Sequence, residues 1–206
     1  YKMTQRDWRS GELRFLLIAL MVAVASLTSV GFFVDRLRAG LARDAGQVLA
    51  SDLLVSSTKE IRSDWKQAAL QRRLQVAETV VFPSMAISGE GETSTAKLVT
   101  IKAVSAAYPL RGSLKLEADS PDKAGKKERV ANGGPVTGTV WVDPALLPSL
   151  NAKLGDVIAL GDKKFKIDGV IAAEPDRGAG FLGFAPRVMM AANDLPATNL
   201  IQDGSR

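Results

Sequence analysis

Three stretches of this chain hold residue types at spacings that chemistry uses. Gly178-Ala179-Gly180-Phe181-Leu182-Gly183 fits G-x-G-x-x-G, in which a glycine turn brings a pyrophosphate onto the amides of a helix N-terminus. The stretch follows a strand-like run, but Pro186 and the short RVMMAANDLP leave no room for the receiving helix, so it reads as a loop. Ser56-Ser57-Thr58-Lys59 matches S-x-x-K, a serine nucleophile with a lysine base. The S-D-N and K-T-G elements of that enzyme class are absent, and polar residues ending a strand account for the match. The carboxylates of Asp119 and Asp122 lie in a polar stretch and read as solvated charge. No catalytic, cofactor-binding or metal-binding residue is assigned.

Composition narrows the chemistry further. The 206 residues include neither cysteine nor histidine, which excludes thiolate metal sites, cysteine nucleophiles and the commonest general base. Neither G-x-S-x-G nor a P-loop occurs, so this chain carries no ATPase site. Of the formal net charge of +5, Lys2, Arg6, Arg9 and Arg14 against Asp7 and Glu12 give +2 in the first fourteen residues, leaving +3 for the rest. Basic residues are interleaved with acids and form no stripe, so nucleic acid is not an expected partner.

The element that would position everything else is FLLIALMVAVASLTSVGFFV, Phe15 to Val34, which holds no charge. At about 1.5 Å per residue, some twenty helical residues match the roughly 30 Å of bilayer hydrocarbon. A signal peptide is an alternative, because Ala23-Val24-Ala25 has the small-x-small form of a cleavage site; against it, apolar residues continue well beyond Ala25. A buried helix of a soluble core rarely runs this long without a polar face. Trp8, Arg9 and Arg14 are candidates for the membrane interface. Ala19 with Ala23 and Ala25 with Ser29 form small-xxx-small pairs, candidates for packing against other membrane helices. Arg36, Arg38 and Arg43 follow the span closely, so charge alone leaves its orientation open. Leu37, Leu41, Ala45 and Val48 repeat at helical spacing and extend the helix as a stalk to about Leu49.

Beyond the stalk, DLLVSS (52–57) reads as a strand, and Ser63 as the cap of a helix running to Val76. AETVVFPSMAIS and KLVTIKAVSAAY are further strands. The polar DSPDKAGKKERVANGG (119–134) reads as a loop or linker. GTVWVD is a strand, Asp143 caps a helical turn begun at Pro144, and DVIALGDKKFKIDGVIAAE is a hairpin about Gly161-Asp162. The alternation of Lys164, Phe165, Lys166 and Ile167 makes the second hairpin strand half-buried. EPDRGAGFLGFAP is a loop in which Phe181, Leu182 and Phe184 are candidates for an apolar tip. RVMMAA is a strand, Leu195-Pro196 a break, and the last residues read as a strand onset within a longer polypeptide.

RDWRSGELRFLLIALMVAVASLTSVGFFVDRLRAGL, ASDLLVSS, YPLRGSL, VWVDPALLPSLNAKLGDVIALGDKKFKIDGVI and APRVMM, in this order, resemble the first membrane helix and first extracytoplasmic domain of the MacB/FtsX/LolC superfamily of ABC transporter permeases. Within it the likeness is to the YbbP-type permeases of bacteria. The resemblance implies an α+β fold: a cytoplasmic interfacial segment (1–14), a transmembrane helix (15–34) and a stalk (35–50). A mixed α/β periplasmic core (51–118), a polar linker (119–135) and a β-rich lobe returning to the core (136–206) would follow. It implies a non-catalytic subunit of the bacterial inner membrane whose partner, a separate cytoplasmic ATPase, binds ATP and magnesium. It also implies mechanical transmission to the periplasmic domain, a periplasmic thioesterase/lysophospholipase partner and lipid-like cargo. A membrane-anchored sensor or adaptor ectodomain is the alternative, and the sequence after Arg206 would separate the two.

Overall fold

The computed structural model describes residues 12–89, 91, 94–118, 128–177 and 185–201. The chain divides into two compact units, Tyr1–Ala45 and Gly46–Arg206. The architecture is α+β, an apolar N-terminal helix followed by a mixed domain.

Helix α1 (Glu12–Val48) takes in the uncharged run and the stalk repeat. Within it, Arg14–Gly40 is long and apolar enough to cross a membrane, and none of that window is buried by protein. Large side chains such as Phe15 and Leu27 stand exposed, the state that hydrocarbon, and not water, tolerates along a whole helix face. Thr28 Oγ1 donates back to the Val24 carbonyl at 2.7 Å, satisfying its hydroxyl inside the apolar run. At the stalk end of the run, the Arg36 guanidinium lies over the Phe32 ring, 5.5 Å from its centroid.

In the second unit, α2 (Ser63–Gln71) is shorter than the expected run to Val76. Arg73 takes a left-handed φ of 58°, and the Arg73 and Leu74 amides donate back to the Leu70 and Ala69 carbonyls, a double bond pattern that ends a helix. Its first residue is Ser63, and the flanking Arg62 offers no side-chain cap. DLLVSS is not a strand: it pairs with no described strand, and Leu53 and Leu54 are exposed there.

The strands are β1 (Thr79–Ser88), β2 (Thr95–Val104), β3 (Leu114–Glu117), β4 (Glu128–Ala131), β5 (Thr139–Val142), β6 (Val157–Leu160), β7 (Lys163–Ala173) and β8 (Arg187–Ala191). A helical turn, α3 (Leu146–Ser149), follows β5, and a 3-10 helix (Ala192–Thr198) follows β8, where a break was expected at Leu195-Pro196. Strand order is β4-β3-β7-β5-β8-β2-β1-β6, with β6 also paired to β7. The sheet therefore closes on itself through β6, β7, β5, β8, β2 and β1. Closure works because β7 is long: Val157 to Leu160 of β6 pair with its first residues on one edge, Lys115 and Leu116 of β3 with its last, and β5 lies along the other edge. Strand β8 is inserted between β2, to which it runs parallel, and β5, to which it is antiparallel.

Alternation fixes which side chains go inside. Val99, Ile101, Ala103, Val140, Val142, Ile158, Phe165, Ile167, Val188 and Met190 form the interior cluster, closed by Leu146 and Leu150 at α3. The intervening residues of β2, β5 and β8 face a second cluster outside the barrel, where Val104, Trp141 and Met189 pack with Ala50, Tyr108, Leu114, Leu116 and Ile171. Burial on both faces is why these strands read as continuous apolar runs. A Cβ at Gly169 would lie 2.7 Å from Trp141 Cδ1, so only glycine lets that ring lie flat on β7. The β6–β7 hairpin turns at Gly161-Asp162 as the sequence reads; Gly161 has φ 58°, the form a two-residue hairpin loop favours. Within 119–134, Glu128–Ala131 is not loop but β4, zipped to β3 from Leu114↔Ala131 to Glu117↔Glu128. Its one large apolar residue, Val130, is exposed, so no alternation marked it as a strand.

Candidate functional site

Lys102 lies in β2 with an apolar neighbour on either side along the strand, and its side chain is 2% exposed. An ammonium there must have every proton bonded. Its three donors go to Tyr108 Oη at 2.8 Å, Glu174 Oε1 at 2.6 Å and Asp176 Oδ1 at 2.5 Å. Tyr108 accepts from Lys102, and its own O–H donates to Asp176 Oδ1. Arg187, the first residue of β8, donates from Nε to Glu174 Oε2 at 3.2 Å. Lys102 and Arg187 thus face Glu174 and Asp176, two charges of each sign. Next along the chain, Arg177 pairs with Asp143, whose carboxylate also accepts the Ala145 amide at the start of α3. Arg187 Nη1 and Trp141 Nε1 are buried on this face without a hydrogen-bond partner among the described residues.

The location follows from the topology. Parallel pairing of β2 with β8 places Thr100 opposite Arg187 and so puts Lys102 and Arg187 on one face. The end of β7 delivers Glu174, Asp176 and Arg177 to the same place. The connection between β7 and β8 is therefore gripped at its first residues through Lys102, Tyr108 and Asp143, and at its last through Arg187. Burial, then the Asp176 and Glu174 carboxylates, push the Tyr108 hydroxyl far above the usual phenol range. Lys102's three donors are all used, so the cluster ties β2, Tyr108 and the chain just past β7 to one another.

A second contact lies beside it. Ala50 is buried in the outer cluster with a left-handed φ of 53°, and its carbonyl accepts the Arg111 amide at 2.9 Å. The Arg111 guanidinium grips Asp52 with both arms, Nε to Oδ1 at 2.9 Å and Nη2 to Oδ2 at 2.8 Å. That hydrogen bond holds the Asp52 carboxyl below its ordinary range, and Asp52 raises Arg111 in turn.

Of these residues sequence reasoning named only Asp143, as the cap of a helical turn, and none as part of a site. The available signal was Lys102 itself, a charge in the middle of LVTIKAV, with the charged EPDR just past a strand end. Of the residues it did name, Arg14, Ala19, Ala23, Ala25 and Ser29 lie exposed along α1. Trp8 and Arg9, the loop residues Phe181, Leu182 and Phe184, and Gly178 to Gly183 lie outside the described residues. Ser56 is exposed, and the Ser57 hydroxyl accepts the Lys59 amide at 3.0 Å, so a local turn accounts for S-x-x-K. Among the described residues, no group of three or more carboxylates is placed to hold a metal ion.

No family model matches the chain. It is 34% identical over 201 residues, 98% of its length, to the uncharacterized ABC transporter permease YbbP of Escherichia coli (strain K12), of which it covers 23%. Over nearly its whole length, then, the chain is similar to part of an ABC transporter permease. It spans about a quarter of the length of that relative. Among solved structures, the extracellular domain of the noncanonical ABC-type transporter YknZ from Gram-positive bacteria is 14% identical with a TM-score of 0.39, over 60% of this chain and 57% of that one. A domain described as that of a permease protein from Porphyromonas gingivalis is 16% identical with a TM-score of 0.39, over 66% of this chain and 56% of that one. Both likenesses are too slight to define this fold, which rests on its own strand pairing. A permease relative and an apolar N-terminal helix fit a membrane protein with an extracytoplasmic domain.

Proposed function

We propose that this YbbP-like chain is a non-catalytic part of an ABC permease in the bacterial inner membrane, with Gly46–Arg206 on the periplasmic side. A separate cytoplasmic ATPase, holding ATP and magnesium, drives movement that passes along α1 into the periplasmic domain and extracts or exports hydrophobic, lipid-like molecules. The observation that carries this reading is 34% identity across nearly the whole chain to an ABC transporter permease. One feature of the chain supports it: α1 continues unbroken from the apolar run to Val48. Ala19, Ala23, Ala25 and Ser29 are the positions at which other helices of the permease would pack closely. Trp8, Arg9 and Arg14 would sit at the cytoplasmic interface, and a periplasmic thioesterase/lysophospholipase would receive the cargo.

The test is purification of the tagged full-length permease from its own membranes, followed by ATP-driven loss of a fluorescent lysophospholipid from vesicles containing it. Co-purification of a nucleotide-binding subunit and ATP-dependent loss are expected. Absence of any ATPase, or protease access to the large domain from the cytoplasmic side, would overturn the reading. Capture of a thioesterase in the same purification tests that partner separately.

A further inference from the structure

The chain between β2 and β3, Ser105 to Ser113, holds two grips that face different parts of the domain. Tyr108 belongs to the buried charge cluster that fastens both ends of the β7–β8 connection. Three residues on, Arg111 fastens the segment leaving α1, by its amide to Ala50 and by its guanidinium to Asp52. Between the grips the turn is short, and its first half is closed by the Tyr108 amide donating to the Ser105 carbonyl at 3.1 Å. The Ser105 amide and hydroxyl tie it in turn to Glu78. Ala50 and Tyr108 also share one apolar cluster, so displacement of either presses on the packing of the other.

We propose that this turn is a relay: it couples the position of Ala50 and Asp52, just past the end of α1, to the hold on the β7–β8 connection. A buried ion cluster is a poor way to gain stability compared with apolar packing, but its contacts are interlocked, so a shift of Tyr108 is felt at Lys102, Glu174 and Arg187 together. Asp52 and Arg111 are solvent-exposed, so their bidentate pair is a modest contact that sets where Arg111 holds the buried Ala50, and its loss is read as a correspondingly modest effect. Use of the relay to pass on movement of α1 rests on the permease reading. The coupling itself does not, and it is measurable without ATP or cargo.

Hydrogen exchange on the full-length permease provides the test. The distant reporters are the Thr100 and Asp143 amides, which donate to the Pro186 and Arg187 carbonyls at the end of the connection. The control is the Asp162 amide, bonded to the Thr198 carbonyl across the barrel. R111A and R111D should speed exchange at Thr100 and Asp143 by about two- to threefold or more, the size of a small contact coupling, with Asp162 unchanged. The swap D52R/R111D should restore protection at both sites. Changes confined to residues 50–52 and 111–113, or a swap that restores only those, would overturn the relay. If R111D loosens the whole domain, Asp162 will exchange faster too, and Y108F then decides. Coupling is reciprocal, so Y108F must speed exchange of the Arg111 amide, which it does not touch, and no change there would overturn the relay.

Discussion

Replacing Lys102 by methionine isolates the buried charge cluster from the apolar packing around it. Methionine keeps most of the volume and all of the strand propensity that matters here, so the change is mainly the loss of one ammonium. Glu174, fully buried, keeps Arg187; Asp176, 23% exposed, keeps only the Tyr108 hydroxyl. The site is left with one excess negative charge. Removing one partner of a buried pair costs about 3–5 kcal/mol, and water reaching Asp176 places the expectation near the lower end, about 3 kcal/mol. That is roughly a hundredfold in the folded-to-unfolded ratio. Urea unfolding in a W8F/W65F background, so that fluorescence reports Trp141 in the outer cluster, should show a lower midpoint at unchanged slope. D176N added to K102M removes the excess charge, leaving Arg187 against Glu174, and should recover about 1 kcal/mol or more. A cost below about 1 kcal/mol for K102M, or a double variant no better than the single one, would refute the cluster as a charge-balanced unit.

The Tyr108 hydroxyl is raised far above the ordinary phenol value. Its contribution to stability is therefore full below about pH 10 and is lost as the pH rises beyond that. An alkaline titration read by phenolate absorbance and circular dichroism together should show Tyr108 ionising only as structure is lost; ionisation in a still-folded domain would contradict its burial. G161A places a methyl 2.0 Å from the Thr198 carbonyl oxygen and forces φ 58° on a residue that resists it. The expected loss is about 2 kcal/mol or more in thermal or urea unfolding, and a near-neutral result would show that the hairpin turn and the 3-10 helix are not in contact.

Much of the second unit was legible because its strands obey a simple rule. Lys164, Phe165, Lys166 and Ile167 alternate, and the burial of Phe165 and Ile167 follows; Gly161-Asp162 announced its turn. What sequence could not supply was pairing across distance. DLLVSS has the composition of a strand, but a strand exists only where an edge meets it. ERVA has no apolar pattern and becomes β4 because β3 lies alongside. The charge cluster was hidden for the same reason: Lys102 and Glu174 are 72 residues apart and meet only through β2–β8 and β7 geometry. Lys102 is a lone charge in an apolar run, a signal left unread, and topology alone says why it is there. The helix α1 was the reverse case, since its length and lack of charge are properties of a continuous run and need no partner to be read.

Strand β8 lies between β5 and β2, and this sets an order of assembly. Two neighbour hairpins, β1–β2 and β6–β7, form from contacts close in sequence and are available early as the chain is made. Neither can be joined through β5 and β2 until Ala191 has been synthesised, because the strand that bridges them is made last. Until then the edges of β2 at Thr100–Val104 and of β5 at Val140–Val142 lack the strand that covers them, and unpaired apolar edges are the usual seed of intermolecular pairing. Shortening the chain before Ala191 is thus expected to yield an aggregating half-barrel instead of a smaller stable domain.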